Sequence, residues 1–102
     1  ALDYLKDFSP AGDITPAMRQ SAMGDAYAEL NDLDEALSHY KRAVNQTDNS
    51  LLKAYFLKKV GMLQEKMGNP AEALEAYQTI KDEYGTTPYA ADIDKYLARV
   101  SQ

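Results

Sequence analysis

His39 is the only histidine of the chain and the first residue that could do acid–base chemistry near neutral pH. Catalysis through it would need a nucleophile or an orienting partner, and a zinc site would need further His or Cys ligands. There is no cysteine and no second histidine, so thiolate, disulfide and zinc-finger chemistry are unavailable. His39, one residue before Tyr40, is therefore expected as a plain surface residue. The acidic groups Asp32/Asp34/Glu35 and Asp92/Asp94 carry charge enough for a divalent ion. They lack the Gly turn and distal bidentate Glu of a calcium loop, and carboxylates at a helix start are favoured by its positive end. No catalytic residue, metal or cofactor is assigned, and the chain is expected not to be an enzyme. What remains is eight tyrosines. Tyr27, Tyr40 and Tyr77 fall at packing intervals and are expected in the core.

The elements that must position these residues are helical. Alternating β-branched runs and hairpin dipeptides are nearly absent, whereas helix punctuation recurs. Thr15-Pro16 sets a hydroxyl cap before a first-turn proline, and Asn69-Pro70 does the same with Glu72 completing a capping box. Asp32 with Glu35 repeats that spacing, Asn49 or Ser50 opens another helix, and Thr87-Pro88 opens the last. Helices are expected over residues 1–8, 16–30, 33–46, 51–67, 70–83 and 88–100. Connections this short make consecutive helices antiparallel neighbours. Gly68 and Gly85 stand where a left-handed residue ends a helix.

Composition bounds the function. At 102 residues the chain is one domain, and 45% hydrophobic with 26% charged residues describes a folded protein. A net charge of −5 disfavours nucleic acid and anionic membrane surfaces. The tight basic pairs, Lys41-Arg42 and Lys58-Lys59, make no phosphate-binding stripe. No apolar run approaches the roughly 20 residues of a membrane span. The chain opens on Ala1 and is read as a mature or excised piece.

One pattern occurs twice, 37 residues apart. Met23-Gly24-x-x-Tyr27 followed by Ala36-x-x-x-Tyr40 recurs as Val60-Gly61-x-x-Gln64 followed by Ala73-x-x-x-Tyr77. Gly24 and Gly61 sit mid-helix, where Gly is roughly 1 kcal/mol worse than Ala. That cost is expected where a partner helix crosses with no room for a Cβ, opposite the small residues Ala36 and Ala73. With these residues the chain resembles the tetratricopeptide repeat family. Gln20 and Leu57 replace its usual Trp, and Asp48 and Gly85 its usual closing Pro. The resemblance implies an all-α superhelix, a solenoid of about two and a half repeats with a C-terminal capping helix. Its parts are expected at 15–50 and 51–87 for the repeats and 88–102 for the cap. Residues 1–14 would be the second helix of a truncated repeat and a loop, since Ala1, Leu5 and Phe8 match Ala36, Tyr40 and Ala43. The stretch from Tyr84 to Ala90 is similar to one in bacterial envelope-associated repeat proteins, which implies a periplasmic or membrane-anchored setting.

By the same resemblance, the second position of each first helix and those three, seven and ten residues later line the concave face. That places Met18, Ser21, Asp25 and Ala28, then Tyr55, Lys58, Met62 and Glu65, on one surface, with Tyr89, Asp92 and Tyr96 added by the last helix. Aromatic and Met anchors among charges of both signs suit a peptide or protein segment. Ser21 and Asp25 stand where a chaperone-type carboxylate clamp needs Lys and Asn, so that activity is unsupported. The expected function is a non-catalytic module binding a protein partner on this face. The alternative is a structural scaffold that self-associates through an exposed N-terminal edge around Leu2 and Leu5.

Overall fold

The computed structural model describes residues 15–101, five α-helices and one short 3-10 helix with no strand among them. The helix expected over 1–8, with the edge around Leu2 and Leu5, lies outside the described residues. Helix α1 spans Pro16–Glu29, α2 Leu33–Asn45, α3 Ser50–Lys66 and α4 Pro70–Glu83. The helix expected over 88–100 is broken. Pro88–Ala90 form a 3-10 helix and α5 runs Ile93–Val100. The break falls at Asp92, which leaves helical geometry at φ −115, ψ 18 and stands 3.7 Å from Lys58 Nζ through its carboxylate.

Local chemistry accounts for most starts. Thr15 Oγ1 accepts from the Met18 amide at 3.2 Å, Asp32 Oδ1 from Glu35 at 3.4 Å and Asn49 Oδ1 from Leu52 at 3.0 Å. Asn49 rather than Ser50 is thus the cap of α3. The capping box expected at Asn69 does not form, because its side chain donates to Gln64 Oε1 at 3.0 Å. Helices α1 and α3 end alike. The Asp32 and Asn31 amides reach back to the Tyr27 and Ala28 carbonyls, as those of Asn69 and Gly68 do to Gln64 and Glu65. This closure takes a left-handed residue, Gly68 at φ 81 and Asn31 at φ 62. Gly85 does not adopt that conformation; a Cβ there would stand 2.9 Å from the Lys81 carbonyl oxygen.

Packing runs α1 on α2, α2 on α3, α3 on α4, and α4 on α5. Ala17, Ala43 and Phe56 form one buried cluster, Ala36, Tyr40, Val60, Leu63 and Ala76 a second. The third joins Ala54, Ala73, Tyr77 and Ile80 to Ile93, Leu97 and Val100 of α5. The expected glycine contact is present with a different cause. The nearest atoms are not those of a helix backbone; the ring of the partner helix's tyrosine lies on each glycine. A Cβ at Gly24 would stand 2.5 Å from Cε1 of Tyr40, and one at Gly61 2.8 Å from Cζ of Tyr77. Ala36 and Ala73 are fully buried one turn earlier on the same helices.

His39 departs from expectation. It is buried, 5% exposed, with its ring stacked on Tyr27 at 5.2 Å and an interplanar angle of 9°. Nδ1 lies 2.6 Å from Gln20 Oε1. Burial, with Arg42 second and Glu35 opposing, lowers its pKa from 6.5. Tyr27, expected in the core, is half-buried at the edge of the second cluster.

Candidate functional site

The residues expected on the concave face divide once they are placed. Those of α3 and the C-terminal segment come together. The Tyr55 and Tyr89 rings lie 5.4 Å apart, and Lys58 Nζ sits 4.7 Å from the Tyr96 ring centroid as well as beside Asp92. Tyr96 is backed by Tyr77, ring to ring at 5.3 Å. Met62 is 48% exposed on α3, one turn after Lys58, and Met18 is 36% exposed on α1. Ser21 is buried at 3% and presents nothing to a ligand. Ala28 packs against the second core cluster.

Asp25 and Glu65 are on this side of the molecule but already engaged. Asp25 Oδ1 accepts from the Tyr40 hydroxyl at 2.5 Å, and its two oxygens receive Lys59 Nζ at 2.7 and 2.8 Å. Glu65 Oε2 accepts from the Tyr77 hydroxyl at 2.5 Å and from Arg99 Nη2 at 2.7 Å, and Oε1 from Arg99 Nε at 2.8 Å. The two nodes share one construction. A carboxylate of a first helix binds the tyrosine of its own second helix and a cation 34 residues further on. Charge-assisted bonds of this kind are about twice as strong as neutral ones. Each node therefore fixes both the pairing of two helices and the approach of the next unit.

Their electrostatics follow. Burial first, then the neighbouring carboxylate, holds the Tyr40 and Tyr77 hydroxyls well above the ordinary phenol range. The hydrogen bond from Arg99 lowers the Glu65 pKa despite partial burial, with Tyr77 adding to it. Burial works against the Lys59 ammonium, yet the bonds to Asp25 leave its pKa raised. All four groups keep their pH 7 charge state, so none is poised to move a proton.

Lys59 and Arg99 were absent from the expected face. Arg99 lies ten residues after Tyr89, the offset that selected Glu65 after Tyr55. Lys59 stands four residues after Tyr55, and its Nζ lies 4.9 Å from that ring's centroid. Two depressions flank α3. One of about 380 Å³ opens between Asp25, Tyr40, Lys59, Met62 and Lys66. The other, about 230 Å³, lies between α2 and α4 over Val44, Leu57, Val60 and Ala76.

A family model for the tetratricopeptide repeat matches residues 17–80, the span from α1 into α4 that holds both glycine–tyrosine contacts. The chain belongs to the tetratricopeptide repeat family. No curated protein and no solved structure matches it. Tetratricopeptide repeat domains generally mediate contacts between proteins and are typically non-catalytic. The stacked helix pairs of this one give that role a rigid frame.

Proposed function

We propose that this tetratricopeptide repeat domain holds an extended or helical segment of a protein partner on its concave face, without catalysis. The observation that carries the reading is the pairing of exposure with internal charge matching. Met62, Tyr55, Tyr89 and Tyr96 offer apolar and aromatic area, while Asp25, Glu65 and Asp92 are each matched by a cation of the same surface. A partner can cover this area without leaving an unpaired carboxylate beneath it, which would otherwise be costly. The nodes also fix the tyrosines and lysines in advance, reducing the ordering cost of association. The resemblance of Tyr84–Ala90 to envelope-associated bacterial proteins supports a partner at the periplasmic or membrane-proximal side.

The test is the double substitution Tyr55→Ala with Met62→Ala. Truncating two anchors at the centre of a protein interface costs tenfold or more in affinity, on the order of 2 kcal/mol. Partners captured by the unaltered protein should be lost by this variant, whose unfolding midpoint stays close to the parent's. Capture of the same partners in the same yield would contradict the reading.

A second reading has one observation in its favour. Leu30, at the C-terminal end of α1, is 66% exposed, whereas its match in α3, Met67, packs against the second core cluster. Self-association through this edge would make the domain a scaffold. Sedimentation across a wide concentration range decides it, since a constant monomer mass argues against that use of the edge.

A further inference from the structure

The C-terminal end of the concave face gathers more positive charge than its own carboxylates can use. Three cations converge on the Tyr96 ring. Lys58 Nζ and Arg99 Cζ each lie 4.7 Å from its centroid, and Lys95 Nζ lies 5.8 Å away. Around them, Glu65 is saturated by Arg99 and Tyr77. Asp92 meets Lys58 only at 3.7 Å, an ion pair beyond hydrogen-bond distance. Among the described residues Lys95 makes no ion pair. Three cations thus face two carboxylates here, Glu65 and the loosely held Asp92, which leaves Lys95 in excess. The Arg99 side chain is 50% exposed.

From this accounting we infer that Lys58, Lys95 and Arg99, set around Tyr96, form an anion-recognising subsite that takes a carboxylate side chain of the partner segment. The inference rests on the proposal that this face holds such a segment, and adds the chemistry of one anchor. A cationic anchor is disfavoured twice over, by repulsion and because the ring already carries cations that would otherwise be replaced. The opposite end of the face shows no such excess, since Lys59 and Lys66 stand there beside Asp25. There Asp25 is half-exposed beside its node and Glu29 is exposed at the end of α1. A partner would therefore lie with its acidic side chain toward α5 and its apolar residues over Tyr55 and Met62.

The experiment is selection of a displayed random peptide library on the full chain, followed by titration of the enriched peptides. We expect Asp or Glu at one end of an aromatic or aliphatic core. Lys58→Gln combined with Lys95→Glu should weaken these peptides roughly tenfold, the scale of one charge-assisted bond. Changing the peptide's acidic residue to Lys should lose as much on the parent protein and recover on Lys95→Glu. Inorganic phosphate at matched ionic strength should leave the affinity unchanged; effective competition would assign the site to free anions and overturn the carboxylate anchor. Peptides that need Tyr55 and Met62 but carry no acidic residue and ignore Lys95→Glu would overturn the subsite while the proposed function stands. Peptides indifferent to both sets of substitutions, or no enrichment at all, would overturn both.

Discussion

The two carboxylate nodes are built from the same three parts and turned opposite ways toward solvent. In the first, Lys59 is 21% exposed and its partner Asp25 48%; in the second, Arg99 is 50% exposed and Glu65 20%. Asp25 occupies the position of Met62 in the next unit, whereas Glu65 occupies that of Ala28, three residues further along the helix. The longer Glu and Arg side chains span the changed register and still meet a tyrosine. The construction is preserved while the charge shown to the groove is inverted, carboxylate at one end and guanidinium at the other. Holding the units together and setting the surface charge are thus separable in this fold. The tyrosine and the ion pair hold the units, and which of the pair is uppermost sets the local sign.

The comparison can be broken most severely at the tyrosines themselves. Tyr77 is wholly buried against Gly61 and α5 residues, and Tyr77→Ala should cost about 3–5 kcal/mol in denaturant unfolding. Tyr40→Ala should cost less, because Tyr40 keeps 6% exposure and α1 borders fewer described elements than α3 does. Equal losses would show that the units do not differ in burial as described. A smaller effect separates the hydroxyls from the rings. Tyr77→Phe should cost about 1–3 kcal/mol and exceed Tyr40→Phe, since the Glu65 carboxylate it leaves is the more covered one. The reverse order would contradict the contrast in exposure.

The smallest effect distinguishes the units by pH. His39 belongs to the first unit, and Ala76 stands at its place in the second. Its lowered pKa means that its contribution is complete above 6.5, where folded and unfolded states are both neutral. It is lost as pH falls below 6.5 toward the folded value, because the unfolded chain takes up the proton first. Glu65 acts in a lower window. Its pKa is depressed from 4.5, so its contribution is complete above that value and fades as pH falls through the folded one. Urea midpoints should therefore drop more for the parent than for His39→Gln between about pH 7 and pH 5. Parallel curves would show that His39 carries no such linkage.

Much of the fold is legible in the residues because its signals are local. Thr15, Asp32 and Asn49 cap helices through atoms three residues away, and the 37-residue recurrence sets the phase of both units. Gly24 betrays a close contact by its cost alone, but the intruding ring belongs to Tyr40, on another helix. His39 could have been found, since it lies three residues after Ala36 and four before Ala43, both buried. Its polarity argues for the surface and its spacing for the core. The candidate site was legible only in part. The concave positions follow a helical period, yet whether Asp25 and Glu65 face a ligand or a tyrosine depends on long-range pairing. Lys59 and Arg99 each act across 34 residues, beyond what a window on one helix reveals.

The central claim is that a partner segment lies on the concave face, over α3 and the C-terminal helix. Amide chemical-shift mapping of the full chain titrated with a library-selected peptide tests it most directly. Perturbations concentrated at Tyr55, Lys58, Met62 and Tyr96 are predicted. Perturbations centred instead on Val44, Ala76 and Thr79, around the depression between α2 and α4, would contradict the account.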